Sequence, residues 1–127
     1  MKILLVTDNK SSWSELAQAL AGHEKVEVFW ADSGRSALEL ARVGSYDLVA
    51  ADQELGDMTG LELAGRLLEV NAMINSAVVS PLSPEEFHEA GEGLGLLAQL
   101  SPSPGPEEAE ELVRKLKKVP GLQAGDS

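Results

Sequence analysis

Cysteine is absent, which excludes disulfides, thiol catalysis and thiolate zinc sites. Basic residues are scarce: 10 Lys and Arg stand against 21 Asp and Glu, a net charge of −11. A field of that sign repels nucleic-acid phosphates unless a basic face is segregated. The one basic cluster, Arg114, Lys115, Lys117 and Lys118, follows Glu107, Glu108, Glu110 and Glu111. Acids early and bases late are what a helix macrodipole favours, so the cluster reads as a helix end and nucleic acid is not an expected partner. Histidine is limited to His23 and His88, far apart in sequence and read as surface residues rather than ligands. Long apolar runs are missing too. The opening Met1–Val6 run is ended by Asp8, short of a signal-peptide core, and no later stretch could span a membrane. A cytoplasmic chain with no membrane partner is expected. Aromatics are few, and Trp13 and Trp30 read as packing residues.

What is present is ordinary globular material, 43% hydrophobic and 24% charged, which argues for a packed core rather than disorder. At 127 residues the chain is the size of one domain, so function is expected within a single module with no output domain. Residues 2–6 form an apolar, branched run of the kind buried on both faces of a parallel sheet. Ser12 to Glu15 fits a capping box opening a helix that Gly22 stops. Val26 to Trp30 reads as a second strand, with Ser33 capping a helix that carries Ala37, Leu38 and Ala41. Asp47 to Ala51 is a third strand, and Thr59 with Glu62 caps the helix after it. Ala77 to Val79 is a fourth strand. Ser83, Pro84 and Glu86 then supply an N-cap, a first-turn proline and a capping glutamate. Gly91, Gly93 and Gly95 each cost about 1 kcal/mol inside a helix, so this one is expected to be short or mobile. Leu96 to Leu100 is a fifth strand, and a last helix carries Ala109, Leu112, Val113 and Leu116 until Pro120–Gly121. Residues 1–119 are read as the domain and 120–127 as a flexible tail.

Five strands alternating with five helices predict an α/β fold, a flavodoxin-like (βα)5 three-layer sandwich with parallel strand order 2-1-3-4-5. Such sheets bind ligands beyond the carboxyl ends of their strands, beside strand one. The polar ends of strands one, three and four are Asp8, Asp52 and Ser80. Neighbouring carboxylates repel, and a divalent cation is the usual remedy; magnesium takes oxygen ligands from one or two carboxylates and keeps several waters. A hydroxyl such as Ser80 can stabilise equatorial phosphoryl oxygens. Strand ends also carry Asp and Ser simply to satisfy turns, so any one of the three taken alone reads as structural. The Gly91-x-Gly93-x-Gly95 pattern lacks phosphate-loop spacing and follows a helix, so it is not a nucleotide loop.

Over about residues 2–118 the sequence resembles the response-regulator receiver domain. Lys2-Ile3-Leu4-Leu5-Val6-Thr7-Asp8 resembles the family's first strand. The most specific likeness is Tyr46-Asp47-Leu48-Val49-Ala50-Ala51-Asp52 followed by Leu55, Met58, Gly60, Leu61, Glu62 and Leu63. The resemblance implies that Asp52 is the phosphorylated aspartate and Ser80 the switch hydroxyl. Magnesium would be held by Asp8, Asp52 and the backbone carbonyl of Glu54. The implied partners are a sensor histidine kinase or phosphotransfer protein, and a downstream protein met by the face of helix four, strand five and helix five. Homodimerisation is a further contact. Beyond self-phosphorylation from a donor and autodephosphorylation, no enzyme activity is implied.

Four departures accompany the likeness. Thr7 stands where the family has the first acid of a pair, which should weaken magnesium binding. Ser101 before Pro102 stands where it has a lysine, and no Lys or Arg lies between Arg66 and Arg114. Leu96 to Leu100 lacks the family's switch aromatic, and Gly56 replaces a common proline. The family's corresponding peptide implies a cis Ser101–Pro102 bond, and a trans one would count against the strand-five alignment. Two readings follow: a receiver phosphorylated on Asp52, or a pseudo-receiver that binds partners regardless of phosphorylation. An FMN-binding flavodoxin-like carrier would use Asn9-Lys10-Ser11-Ser12 and Trp13, but the acidic rim opposes it. A haloacid-dehalogenase-like phosphatase lacks its second acid after Asp8. Trp13, near the expected site, is a candidate fluorescence reporter.

Overall fold

The computed structural model describes residues 1–119; the tail and the Pro120–Gly121 stop lie outside the described residues. Its strands are β1 (Lys2–Val6), β2 (Glu27–Ala31), β3 (Leu48–Ala51), β4 (Asn75–Val79) and β5 (Leu96–Leu100). Its helices are α1 (Ser14–Ala21), α2 (Gly34–Val43), α3 (Gly60–Val70), α4 (Pro84–Ala90) and α5 (Pro106–Lys117). The strands form one sheet in the order β2-β1-β3-β4-β5, every neighbouring pair parallel, as expected.

Alternation of side chains along the central strands separates two apolar layers. Ile3, Leu5, Leu48, Ala50, Ala77, Val79 and Leu100 pack with Trp13, Leu16 and Leu20 of the α1 side and Leu112 and Leu116 of α5. Leu4, Val6, Val49 and Ala51 face the other way, against Ala37, Leu38 and Ala41 of α2 and Leu63 and Leu67 of α3. A satellite of Ala64, Val78 and Phe87 lies under α4, whose seven residues bury only Phe87. That helix is as short as its glycines suggested: Gly93 and Gly95 adopt φ of 83° and 67° in the turn that follows.

Ser33, Thr59 and Ser83 all cap the helices assigned to them, each accepting the backbone N–H three residues on. Helix one departs from expectation. Asn9, not Ser12, is the cap: its side chain accepts the Ser12 N–H and opens a 3-10 helix, Lys10–Trp13, that runs into α1. Ser12 is therefore inside a turn. Strand two starts one residue late because Val26 donates to the His23 carbonyl, and the ladder begins with Glu27 donating to Met1. Trp13 is fully buried in the α1–α5 layer, which fixes it as a packing residue rather than a rim residue. Trp30 is half-buried, with the Lys10 ammonium 5.2 Å over its ring. His88 is exposed, and His23 meets Glu110 at 3.0 Å at the surface.

Candidate functional site

The parallel ladder sets what meets at the carboxyl edge of the sheet. Val6 pairs with Ala51 and Ala51 with Val78, so the next residues of β1, β3 and β4 emerge side by side. Two backbone bonds carry the ladder one step further: Asp52 N–H donates to Val6 at 2.9 Å, and Thr7 N–H to Ala31 at 3.0 Å. Thr7 is thereby brought beside Asp52, and its hydroxyl donates to the Asp52 carboxylate at 2.9 Å. The same oxygen of Thr7 accepts the Asn9 N–H at 3.0 Å. The other Asp52 oxygen accepts the Gln53 N–H at 2.8 Å. Asp52 is half-buried, Thr7 fully buried, and Asp8 exposed at the same rim.

Thr7 is thus more than a lost acid. A neutral hydroxyl fills the position and orients the neighbouring carboxylate, which the sequence reading missed. The available signal was the parallel pairing itself, since strand-end residues of adjacent strands are the ones that touch.

The loop after Asp52 is tightly held. Glu54 and Thr59 face each other across a short antiparallel bridge made by Leu55 N–H to Met58 and Gly60 N–H to Gln53, both 3.0 Å. Because those bonds run through neighbouring residues, the Glu54 carbonyl is not spent in the bridge. Gly56 has φ of 86°, a conformation closed to the proline that is common here, so its presence follows from the turn. Asp57 clamps the loop to α2, its carboxylate accepting Arg35 N–H at 2.9 Å and Gly34 N–H at 3.0 Å.

These bonds, from Arg35 first and Gly34 second, hold the Asp57 carboxyl below the usual range. Its stabilising contribution is present above the ordinary Asp range and lost as pH falls through the depressed folded value. Asp57→Ala is therefore expected to melt earlier than wild type at neutral pH, with the two curves converging in acid.

Ser80 stands at the end of β4, half-buried, and its hydroxyl oxygen accepts the Leu82 N–H at 3.2 Å. With Gln53, Glu54 and Thr59 it lines a pocket of about 180 Å³ between the β3–α3 and β4–α4 loops. At the end of β5, Ser101 sits where the lysine was expected. Its N–H and hydroxyl both donate to Glu108 of α5, at 2.9 and 2.6 Å. No peptide bond among the described residues is cis, so the expected cis Ser101–Pro102 is corrected to trans. The trans form is the lower in energy by about 0.5–1 kcal/mol, and Ser101 is committed to Glu108 in that geometry. The strand itself occupies Leu96–Leu100 as expected, so the boundary stands while the lysine-like turn does not.

As a test of a divalent cation, the donors at this edge are two carboxylates and one free carbonyl. That oxygen-only set suits a hard ion carrying its own waters. No group of three or more His, Cys, Asp or Glu is close enough among the described residues to hold a metal, so the set is lean.

The family model of the response regulator receiver domain matches residues 3–115. A response regulator receiver protein of Anaeromyxobacter is 32% identical over 100 residues, covering 78% of this chain and 41% of that protein. The transcriptional regulatory protein CusR of Escherichia coli is 32% identical over 95 residues, covering 75% of this chain and 41% of its own length. The chain thus spans about two fifths of the length of these relatives. Among solved structures, the CheY-like receiver domain protein of Methanospirillum hungatei superposes with a TM-score of 0.79 at 22% identity, covering 99% of this chain and 98% of that one. The chemotaxis response regulator CheY4 of Vibrio cholerae gives 0.75 at 23%, covering 91% and 97%. No helix of the described residues is long and apolar enough to cross a membrane. The chain belongs to the response regulator receiver domain family of two-component signalling.

Proposed function

We propose that Asp52 accepts a phosphoryl group from a sensor histidine kinase or phosphotransfer protein, and that the α4–β5–α5 face then changes protein partners. The observation that carries this reading is the Asp52 carboxylate itself, half-buried at the carboxyl edge and oriented by Thr7 and Gln53. In the transfer an Asp52 oxygen bonds to phosphorus as the phosphorus–nitrogen bond of the donor imidazole breaks, and the imidazole leaves with the electron pair. Asp8, Asp52 and the Glu54 carbonyl are the groups that would hold magnesium, whose charge lessens repulsion between carboxylate and phosphoryl oxygens. Ser80 donates a hydrogen bond from its hydroxyl to a phosphoryl oxygen once the acyl phosphate is formed. A cytoplasmic location, residues 1–119 as the module, and homodimer contacts belong to the same proposal.

One observation favours the second reading, a partner-binding module indifferent to phosphorylation. Ser101, in the lysine's place, is turned to Glu108 and offers no charge to the phosphoryl group. The two readings part in one experiment. With magnesium and acetyl phosphate, wild type should gain the intact mass of one phosphoryl group and Asp52→Asn should not. Identical masses would abandon phosphorylation and leave the second reading.

A further inference from the structure

The sequence of β5, Leu96-Leu97-Ala98-Gln99-Leu100, holds one polar residue in an otherwise apolar strand. β5 is the sheet's edge, where a polar side chain would ordinarily turn to water. Gln99 is instead half-buried and pairs across the ladder with Val78, under the β4–α4 loop. Its carboxamide nitrogen lies 2.9 Å from the Ser80 carbonyl oxygen and 2.7 Å from that of Leu82. Only the donor end of an amide can face two carbonyls, so both of its hydrogens are spent on this loop. The third tie is internal, Leu82 N–H to the Ser80 hydroxyl. Pro81, between them, has no N–H to give. The coil Ser80–Leu82 is thus fixed at two of its three carbonyls and at the Leu82 amide.

We propose that Gln99 is a positioning residue for Ser80: its carboxamide, bridging the carbonyls of Ser80 and Leu82, holds the β4–α4 loop so that the Ser80 hydroxyl stays at the Asp52 rim. This rests on the phosphoryl reading of Asp52. It also supplies what β5 lacks in an aromatic, a side chain joining the strand to that loop. Moving Ser80 toward a phosphoryl group strains the two Gln99 bonds, so a change at Asp52 is felt on β5, beside the groove that Phe87, His88 and Leu96 line against α4.

The test uses Gln99→Glu, which keeps the shape but sets an acceptor against two acceptors, and Gln99→Leu, which keeps the bulk without donors. Hydrogen exchange at the Leu82 amide should quicken on the order of tenfold in both variants, as the two bonds that tie this loop to β5 are lost. With magnesium and acetyl phosphate, the maximal rate of Asp52 labelling should fall about threefold or more while the half-saturating donor concentration holds, because Ser80 acts on the transferred group rather than on donor capture. A residue that merely filled space would show neither change in Gln99→Leu. Wild-type exchange at Leu82 in both variants overturns the proposal, as does quickened exchange with an unchanged maximal rate. If wild type labels no better than Asp52→Asn, the phosphoryl reading falls and the role in transfer falls with it, while the exchange result alone decides whether Gln99 holds the loop.

Discussion

Thr7→Asp should make the thermal stability of this domain depend on magnesium. Thr7 is wholly buried, and its hydroxyl meets the Asp52 carboxylate at 2.9 Å. A carboxylate in its place removes that bond and sets two like charges at near contact where water cannot screen them. Without a cation the variant should lose about 3 kcal/mol, the usual cost of an uncompensated buried charge. With magnesium the same change adds a third carboxylate to Asp8 and Asp52, and affinity should rise on the order of tenfold to a hundredfold. Because the ion binds only the folded chain, a concentration of a hundred times the Kd returns about 2.7 kcal/mol. Melts over a magnesium series should therefore climb steeply for Thr7→Asp and barely at all for wild type. A variant that melts at one temperature throughout the series would mean that this edge does not gather a cation, and the magnesium part of the proposed function would go with it.

The Thr7–Asp52 contact follows from the pairing of β1 with β3 and not from any local pattern along the chain. The strands and helices were legible because continuous apolar runs and helix caps are local: Ser33, Thr59 and Ser83 each announce a helix in three or four residues. The place of Asp52 at the carboxyl end of β3 was legible because Leu48 to Ala51 is one contiguous apolar run. The start of helix one was misread because Ser12 and Asn9 offer equally good caps in sequence, and the 3-10 turn that Asn9 opens ends on the buried Trp13. The Ser101–Pro102 peptide was carried over from a family whose lysine this chain lacks. Its geometry follows Glu108, seven residues away and on another element. Thr7 to Asp52 and Gln99 to Ser80 span 45 and 19 positions, and only the register of the sheet brings them together. The motif thus survived in sequence where it is contiguous, and the site's supporting bonds emerged only with the fold.

Gly60→Ala should destabilise the domain, and Gly65→Ala, five positions along the same helix, should stabilise it. The two glycines look alike in sequence, each within the α3 run Gly60–Val70. At Gly60 an added Cβ would lie 2.4 Å from the Asp52 carbonyl oxygen and 2.7 Å from Val78 Cγ1. A backbone oxygen cannot swing aside as a side chain does, so either α3 must withdraw or the Asp52 peptide must turn. Withdrawal stretches the 3.0 Å bond from Gly60 N–H to Gln53; turning disturbs the carboxylate held by Thr7. Overpacking of this kind costs about 1–3 kcal/mol, and each kcal/mol lowers Tm on the order of 5 °C in a domain of this size. At Gly65 the nearest atom is Leu94 Cδ2 at 3.6 Å, an ordinary contact, and alanine is favoured over glycine inside a helix by about 1 kcal/mol. Melting curves for the pair should therefore move in opposite directions. Equal shifts would show that α3 does not press on the Asp52 strand end, and that the Asp52 carboxylate is placed by β1 and the loop alone.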